Sequence, residues 1–272
     1  MHEQVATEIF FLGSGGGRHC MTTQMRATAG FRIHSNLNIH VDPGPGALVR
    51  SVDNNLNPRN LDVIIVTHAH PDHCNDANVL IEAMAKGAST KRGYVLASES
   101  VVEGVDDRFP VITKYHASLC NIFILNEGEF REIMGIKFEA TKCKHEDPTT
   151  IGVKIYFKDV TLGYTSDTEY FPGLASQFSD VDVLIINVMR PNARRIKFHL
   201  CTEDVIKILS EIKPKLAIIQ HFGLAMLKAN PEKEARIIEE KAKVKTIAAR
   251  DNMQIKLANF IMQGAQKSLF DF

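Results

Sequence analysis

The chain has 272 residues and a formal charge of zero, with 32 Lys and Arg against 32 Asp and Glu. Apolar residues make up 44% of it, which is ordinary for a soluble protein with a sizeable core. No apolar run approaches the ~20 residues of a membrane span. The first residues, 1–4, lack the basic and apolar pattern of a secretion signal. We therefore expect a cytoplasmic protein without a membrane anchor.

The elements of the N-terminal half follow from apolar periodicity and turn residues. Strands are predicted at 7–12, 28–34, 37–42, 61–67 and 94–97, and a short helix at 47–52. A longer helix is predicted at 72–85, where apolar residues recur at i, i+3, i+4 and i+7. The glycine-rich stretch 13–17 either approaches a phosphate or only allows a tight turn.

The C-terminal half is predicted in the same way. Strands are predicted at 122–125, 136–143, 151–157, 160–164, 182–188 and 215–220. Helices are predicted at 171–177, at 202–212 with Thr202 as N-cap, and from Pro231 to about residue 242. We find no internal repeat, low-complexity segment or linker.

The densest group of candidate metal ligands follows the strand at 61–67. Residues 67–73, with the sequence THAHPDH, hold three imidazoles and one carboxylate. Such side chains suit zinc, manganese or iron. Without a cation they would repel or desolvate one another, so we interpret the segment as a metal site.

This segment resembles the His-x-His-x-Asp-His signature of the metallo-β-lactamase superfamily. The signature is complete, and four further positions match the family in the right order. The signature residues are His68, His70, Asp72 and His73, and the further matches are Asp42, His145, Asp167 and His221. The resemblance implies an α/β fold, a four-layer αββα sandwich with two mixed β-sheets flanked by helices. It would use residues 1–265 as a single domain.

By the same resemblance, the matched residues bind two divalent metal ions, with Zn favoured over Mn or Fe. Three imidazoles would hold one ion, and Asp72, His73 and His221 would hold the other. Asp167 carries two oxygens and would bridge both ions. The implied chemistry is hydrolysis by metal-bound hydroxide, because a cation lowers the pKa of bound water from about 15.7 to about 7. Asp42 would orient a ligand histidine or, alternatively, cap the turn before Pro43.

The third imidazole of the first ion has two candidates. We favour His145 over His116, because a probable strand leads into His145 and the following residues 149–152 resemble those of relatives.

The five cysteines are odd in number and form no CxxC pair, which argues for a reducing setting without disulfides. Cys74, Cys143 and Cys201 lie within two residues of site histidines. They are alternative ligands or, as we prefer, small buried residues beside the site.

His199 is the feature that bears on the substrate. It precedes a predicted helix, and it resembles the extra histidine of the phosphodiesterase branch, which includes cyclic-phosphate phosphodiesterases and tRNA 3′-end nucleases. The resemblance implies that His199, Asp72 and Asp167 are catalytic residues. Among them, His199 would protonate or steady the departing oxygen. Only 21 residues separate His145 from Asp167, which is too few for the tRNA-binding arm of many tRNA nucleases. A standard role in tRNA 3′-end processing is therefore disfavoured. The substrate is then a nucleic acid or a small cyclic phosphate.

Positive charge is concentrated near His199. Residues 186–256 contain 15 Lys and Arg against 8 Asp and Glu. Such asymmetry marks a surface for polyanions or a set of solvated helices. Arg194 and Arg195, just before His199, are candidate phosphate contacts.

Two other functions stay open. A carboxylic-ester, lactone or thioester hydrolase would survive loss of His199 better than a phosphodiesterase. A non-hydrolytic, clamp-tethered protein would use its metals structurally or for redox chemistry. The tail 266–272 resembles a sliding-clamp-binding peptide, with Gln266, Leu269 and Phe272 at the matching positions. It could instead fold back on its own domain, and homo-oligomers are possible.

Overall fold

The computed structural model of the protein describes residues 6–261. Its strands are β1 (Glu8–Phe11), β2 (Phe31–His34), β3 (Asn38–Val41), β4 (Val63–Val66), β5 (Tyr94–Ala97), β6 (Asn121–Ile124), β7 (Phe130–Ile133), β8 (Ile136–Lys142), β9 (Ile151–Tyr156), β10 (Thr161–Tyr164), β11 (Val183–Asn187), β12 (Leu216–Gln220), β13 (Thr246–Ala248) and β14 (Met253–Lys256). Its helices are α1 (Gly17–Thr23), α2 (Ala47–Asp53), α3 (Pro71–Cys74), α4 (Ala77–Met84), α5 (Glu99–Val102), α6 (Lys114–Ser118), α7 (Thr202–Ile212), α8 (Leu224–Ala229), α9 (Pro231–Ala242) and α10 (Ala258–Ile261).

The strands form two mixed sheets of seven strands each. The first has the order β14-β1-β2-β3-β4-β5-β6, parallel from β3 to β6 and antiparallel elsewhere. The second has the order β13-β12-β11-β10-β9-β8-β7, parallel from β10 to β13 and antiparallel elsewhere. The predicted pair of mixed sheets is therefore confirmed.

The largest apolar core lies between the two sheets, and a further core lies on each outer face. Strand β4 shows why, because its four residues are apolar and all are buried. Val63 and Ile65 face the opposite sheet, while Ile64 and Val66 pack under the helices. This continuous apolar pattern is typical of a parallel strand covered on both faces.

Helices cover both outer faces, which confirms the predicted αββα layers. Helix α4 packs on the first sheet, and α7 and α9 pack on the second. The longest of the described helices, α9, has 12 residues, and no helix within residues 6–261 has the length and apolar character needed to cross a bilayer.

Three local predictions were wrong. The helix predicted at 72–85 is divided into α3 and α4, because Asp76 leaves helical geometry to accept a hydrogen bond from the backbone of Leu48. At 171–177 the structure has turns and a short 3₁₀ segment, since Gly173 adopts a φ of 91° that a helix excludes. Cys201, not Thr202, is the N-cap of α7, and the Thr202 hydroxyl donates to Glu234 instead.

At one edge of the molecule, loops that follow strands of the first sheet meet loops that follow strands of the second. The loops that follow β3 and β4 of the first sheet meet those that follow β8, β10, β11 and β12 of the second. The predicted ligands lie in these loops, except for Asp72 and His73, which lie in α3 directly after the loop that follows β4. The predicted clamp-binding tail, 266–272, lies outside the described residues.

Candidate metal centre

Residues 68–73 form the end of a tight loop after β4 and the first turn of α3. Strand β4 ends at Val66, and Pro71 begins α3, with His70 as an extended N-cap. This turn brings the His68 Nε2 atom to 3.1 Å from the His70 Nδ1 atom. The ring of His73, in α3, lies against the ring of His68, with the ring centroids 4.1 Å apart and the planes tilted by 44°. The loop therefore points three imidazoles of one short segment at a common volume.

Residues of the second sheet complete two groups of ligands. His145 follows β8, and its Nε2 atom lies 3.0 Å from His70 Nδ1. His221 follows β12, and its Nε2 atom lies 3.1 Å from His73 Nε2 and 3.4 Å from an Asp72 oxygen. The geometry thus brings together all the ligands that the sequence predicted. It excludes His116 from the group, because that imidazole contacts Thr113 and Glu82 instead.

Asp167, which follows β10, lies between the two groups. One carboxylate oxygen, Oδ2, is 3.3 Å from His221 Nε2, 3.5 Å from His73 Nε2 and 3.9 Å from His145 Nε2. The other oxygen, Oδ1, accepts a hydrogen bond of 2.7 Å from the Asn187 amide. Oδ2 therefore faces both groups of ligands, while the Asn187 amide fixes Oδ1 and so the orientation of the carboxylate.

The hydrogen bonds of the outer ring nitrogens show that this cluster fits metal ions. His145 Nδ1 contacts the Phe198 carbonyl at 3.1 Å, and His70 Nε2 contacts a Glu146 oxygen at 2.8 Å. Both partners are acceptors, so these nitrogens carry the protons of the neutral rings. The inner nitrogens of His70 and His145 then face each other with lone pairs at 3.0 Å. That arrangement is repulsive unless a cation lies between them.

Asp42 fixes the imidazole of His73 in the same way. Its Oδ2 atom accepts from His73 Nδ1 at 2.9 Å, from Thr67 Oγ1 at 2.9 Å and from Tyr164 OH at 2.7 Å. Its Oδ1 atom accepts from the Thr67 backbone at 2.8 Å. A histidine whose Nδ1–H is held by a carboxylate presents Nε2 to a metal. This geometry favours the orienting role predicted for Asp42 over a turn cap.

The buried charges of the cluster depend on one another. Burial would raise the pKa of Asp167, but the imidazoles of His221, His73 and His199 hold that pKa well below its ordinary value. Burial would lower the pKa of His73, but the carboxylates of Asp167, Asp72 and Asp42 raise it well above the ordinary value. By contrast, burial and the neighbouring imidazoles lower the pKa of His68. Without metal, the cluster therefore mixes charged and neutral imidazoles.

Backbone strain is concentrated at the same place. Asp42, Ser166 and His221 have φ values of 50°, 53° and 62°, in the left-handed region that non-glycine residues seldom adopt. Such residues cost of order 1–3 kcal/mol each and are frequent at functional sites. Each follows a strand directly or by one residue, so the strain turns a ligand or its support toward the centre.

Several supporting residues were missed by the sequence analysis. Glu146 holds His70, and Arg108 in turn contacts Glu146 at 2.6 Å. Asp147 accepts from the Ala69 backbone at 3.0 Å and so fixes the loop between the first two ligands. Glu146 and Asp147 follow His145 directly, and that adjacency was the available signal.

The glycine-rich stretch 13–17 contacts the metal ligands. The Gly17 N–H donates to Asp72 Oδ2 at 2.6 Å. A Cβ atom on Gly16 would lie 2.2 Å from ring atoms of His221. The stretch therefore supports both ligands by close backbone approach.

His199 lies beside Asp167, as the predicted catalytic role requires. Its Nδ1 atom is 3.6 Å from Asp167 Oδ2, and its side chain is partly exposed. Burial lowers the pKa of His199 to about 4, although Asp167 acts in the opposite direction. The imidazole is thus neutral at pH 7 and open to a ligand.

A cleft of about 1110 Å³ opens above the cluster. Four cations line it and form no ion pair among residues 6–261: Arg18, Arg190, Arg194 and Lys228. Arg195, also predicted to contact phosphate, does not line this cleft, and its guanidinium donates to Asp204 at 2.8 Å. The structure thus places Arg194 in the cleft with Arg190, while Arg195 lines a neighbouring hollow.

The cysteines near the site take no part in the ligand groups of the described residues. Cys143 Sγ contacts the Thr165 carbonyl at 3.3 Å, and Cys201 Sγ contacts Asp204 at 3.0 Å. Cys74, the last residue of α3, is buried in the apolar core on the outer face of the first sheet. These positions favour the interpretation as small buried residues.

Comparison with known proteins identifies a family and several relatives. A family model described as a β-lactamase superfamily domain matches residues 37–222. An uncharacterised protein of Methanocaldococcus jannaschii is 42% identical over 256 residues, which cover 93% of this chain and 96% of that protein. A protein of Pyrococcus horikoshii named as a metal-dependent hydrolase is 23% identical, with 84% and 96% covered.

Solved structures share the fold at low identity. The metallo-β-lactamase fold protein YhfI of Bacillus subtilis superposes with a TM-score of 0.75 at 19% identity, covering 92% of this chain and 99% of its own. A diphosphatase of the PhnP family superposes with a TM-score of 0.69 at 16% identity, covering 92% and 97%. At these identities the likeness concerns the fold alone.

Proposed function

Because the chain belongs to the β-lactamase superfamily, we propose that it is a binuclear metal-dependent phosphodiesterase. The family resemblance and the prediction of a metal-dependent hydrolase are confirmed by the family match and by the names of relatives. The observation that carries the phosphodiester proposal is the position of His199. It lies 3.6 Å from Asp167 at the mouth of a cleft lined by unpaired cations.

The ligand groups would hold two divalent ions, with zinc favoured by the imidazole-rich donor set. When bound, these ions would neutralise phosphate charge and lower the pKa of water. The protein side chains orient the ligands, as Asp42 does for His73 and Asn187 for Asp167. A solved neighbour is a diphosphatase, which accords with phosphate chemistry on this fold.

His199 would act on the departing oxygen. A neutral imidazole at pH 7 donates an N–H hydrogen bond to that oxygen and steadies its developing charge. Arg190 and Arg194, in the same cleft, would hold non-bridging phosphate oxygens. Apolar side chains of the cleft, including Met189, Phe198 and Leu224, would contact the organic part of the substrate.

The size of the binding region favours a nucleic acid strand over a small cyclic phosphate. The cleft exceeds the usual volume of small-molecule sites, about 300–1,000 Å³. A second hollow of about 380 Å³ shares Ile196 and His199 with it and contains Tyr170, Lys197 and Lys207. An exposed aromatic ring beside lysines suits a stacked base and its phosphate. A strand could thus extend to both sides of His199.

The test is a substrate screen with the full chain reconstituted with zinc, manganese or iron. Substrates are bis-p-nitrophenyl phosphate, single-stranded DNA and RNA, cyclic nucleotides and lactones. We expect metal-dependent cleavage of phosphodiesters, with oligonucleotides preferred to cyclic nucleotides. The variant His199→Ala should keep its metals but lose roughly 10²–10⁴-fold in rate, while His116→Ala should match the wild type. Hydrolysis of lactones alone, or an unchanged rate in His199→Ala, would contradict the proposal.

A further inference from the structure

A buried guanidinium lies outside the metal centre. Arg32 is on β2, on the face of the first sheet away from the opposite sheet, and only 5% of the residue is exposed. Its Nη1 atom donates to the Leu56 carbonyl over a long 3.4 Å. Its Nε atom is buried and has no hydrogen-bond partner among residues 6–261.

No carboxylate within the described part of the chain forms an ion pair with Arg32. Asp62 is the only acidic group that raises its pKa, and its two oxygens already accept from Arg92 at 2.8 Å and from the Asn38 backbone at 3.0 Å. Burial lowers the pKa of Arg32 to about 10, so the side chain still carries its charge at pH 7. A buried charge without a counter-ion is costly, by several kcal/mol in typical proteins.

His40 cannot supply the missing negative charge. It is the neighbour of Arg32 in the register of β2 and β3, and it is completely buried. Its Nε2 atom contacts the Ala29 carbonyl at 3.0 Å, while its Nδ1 atom has no partner among the described residues. Two adjacent polar side chains of the same sheet face therefore each have one buried nitrogen without a hydrogen-bond partner among the described residues.

Arg32 lines a cavity of about 270 Å³ on this face. Phe10 and Arg32 are among the strand residues beneath it, and much of the remaining wall is side-chain amides and an imidazole: His34, Asn38, Asn55, Asn57 and Asn60. The acidic residue at its margin, Glu8, is already bound to Gln254 at 2.7 Å and to Lys256 at 3.5 Å. Among the described residues of the wall, Arg32 is the cation and Glu8 the anion, and Glu8 already has partners of its own. The rest of the wall is rich in amides, and the volume is near the lower end of small-ligand volumes.

We propose that this cavity, the Arg32 pocket, binds a small oxyanion, and that Arg32 is its charged contact. The anion is a phosphate or carboxylate group, either free or on a small metabolite. Guanidinium N–H groups form paired hydrogen bonds with both kinds of oxyanion, and side-chain amides donate to their remaining oxygens.

The Arg32 pocket is separate from the metal centre. Asn38, in the pocket, begins β3, whereas Asp42 follows the end of that strand. The two positions are four residue steps apart along extended chain, at about 3.3 Å per step. The proposal does not depend on hydrolytic activity and can be tested on metal-free protein.

The experiment measures the thermal unfolding midpoint of the full chain in chelator-containing buffer during titration with inorganic phosphate or with acetate. The wild type should show a saturable rise with at least one anion, and Arg32→Met should lose it. A stronger response to phosphate identifies a phosphate site, and an equal response to acetate identifies a general oxyanion site. The control is Arg59→Met, an exposed arginine nearby, which should keep the rise.

Arg32→Met also provides its own folding check. In anion-free buffer its unfolding midpoint should equal or exceed that of the wild type, because the substitution removes an unpaired buried charge. If the variant fails to fold, a crystal structure of the wild type at saturating phosphate decides the matter. An oxyanion bonded to Arg32 supports the proposal. A rise that persists in Arg32→Met, no rise with either anion, or a water alone at Arg32 overturns it.

Discussion

At the scale of single residues, the centre depends on side chains that hold the ligands. Asn187 is the clearest case, because its amide donates to Asp167 Oδ1 at 2.7 Å and to Tyr164 OH at 3.2 Å. Tyr164 in turn donates to Asp42, which holds His73. Asn187 therefore links the carboxylate of Asp167 to Asp42, the residue that holds His73 of the other sheet.

Asn187→Ala should weaken metal binding without unfolding the protein. Loss of the amide frees Asp167 to rotate, and the loss of such a supporting contact typically costs about 10–100-fold in metal affinity. Competition with a chromogenic chelator measures the affinity, and circular dichroism checks the fold. Asn121→Ala, on the exposed edge strand β6, is the matched control. Equal affinity in Asn187→Ala and wild type would show that the amide has no orienting role.

His40 makes a separate prediction about acid stability. Burial lowers its pKa from the ordinary 6.5 to about 3, with Arg32 acting in the same direction. The unfolded chain therefore binds a proton between about pH 6.5 and pH 3 that the folded chain does not. The contribution of the neutral imidazole to the free energy of unfolding is therefore full above about pH 6.5. It decreases as the pH falls from about 6.5 toward 3.

His40→Gln, which keeps an N–H donor, should reduce that loss. At about 1.4 kcal/mol per pH unit, the wild type should lose about 2 kcal/mol more than the variant between pH 6.5 and pH 5. Urea unfolding of metal-free protein at both pH values measures the difference. The exposed His34→Gln is the control and should behave as the wild type does. Identical pH dependence in His40→Gln would refute a buried neutral imidazole.

The ligands could be predicted from the sequence, but their supports could not. Each ligand follows an apolar strand, and His68 to His73 form a motif that is visible without a structure. Asn187 also ends a strand, but its partner Asp167 lies 20 residues away in sequence. A hydrogen bond of this kind depends on how the end of one strand meets the loop after its neighbour, and local sequence does not encode that contact.

At the scale of elements, the loops carry the chemistry and the strands fix their ends. Gly16 shows how closely the loops pack, because it lies against the ring of His221 and has extended backbone, with φ of −152°. Glycine is required there by the lack of space and not by its conformational freedom. The sequence analysis left the role of this stretch open between phosphate contact and a tight turn.

Gly16→Ala should displace His221 and lower metal affinity more than it lowers stability. The added Cβ would lie 2.2 Å from the imidazole, so the ligand or the loop has to move. Gly87→Ala is the matched control, since its Cβ meets nothing within 4 Å and only the φ of 74° opposes it. The control should lose about 1 kcal/mol of stability and keep full metal affinity. Metal titration by calorimetry compares the two, and equal affinities would contradict the close contact.

The elements themselves were predictable where apolar periodicity was strong. Helices α7 and α9 and most strands lie near their predicted positions. The division of 72–85 into α3 and α4 was not predictable, because the apolar spacing continues through it. The break depends on Asp76, whose carboxylate accepts a hydrogen bond from the backbone of Leu48 in helix α2.

At the scale of the whole molecule, each sheet supplies part of the centre. The first sheet provides His68, His70, Asp72 and His73, and the second provides His145, Asp167 and His221. The two sheets must therefore pack in one relative position for the ligands to converge. We expect bound metal to stabilise the packed sheets, since a ligand that binds only the folded state adds about 2.7 kcal/mol at 100 times its Kd.

The most direct test of the account is an anomalous diffraction measurement at the metal absorption edge on crystals of the full chain loaded with zinc. The account predicts two peaks about 3.5–4 Å apart. One should lie among His68, His70 and His145, the other among Asp72, His73 and His221, with Asp167 Oδ2 next to both. Peaks elsewhere, or none under any loading condition, would contradict the account.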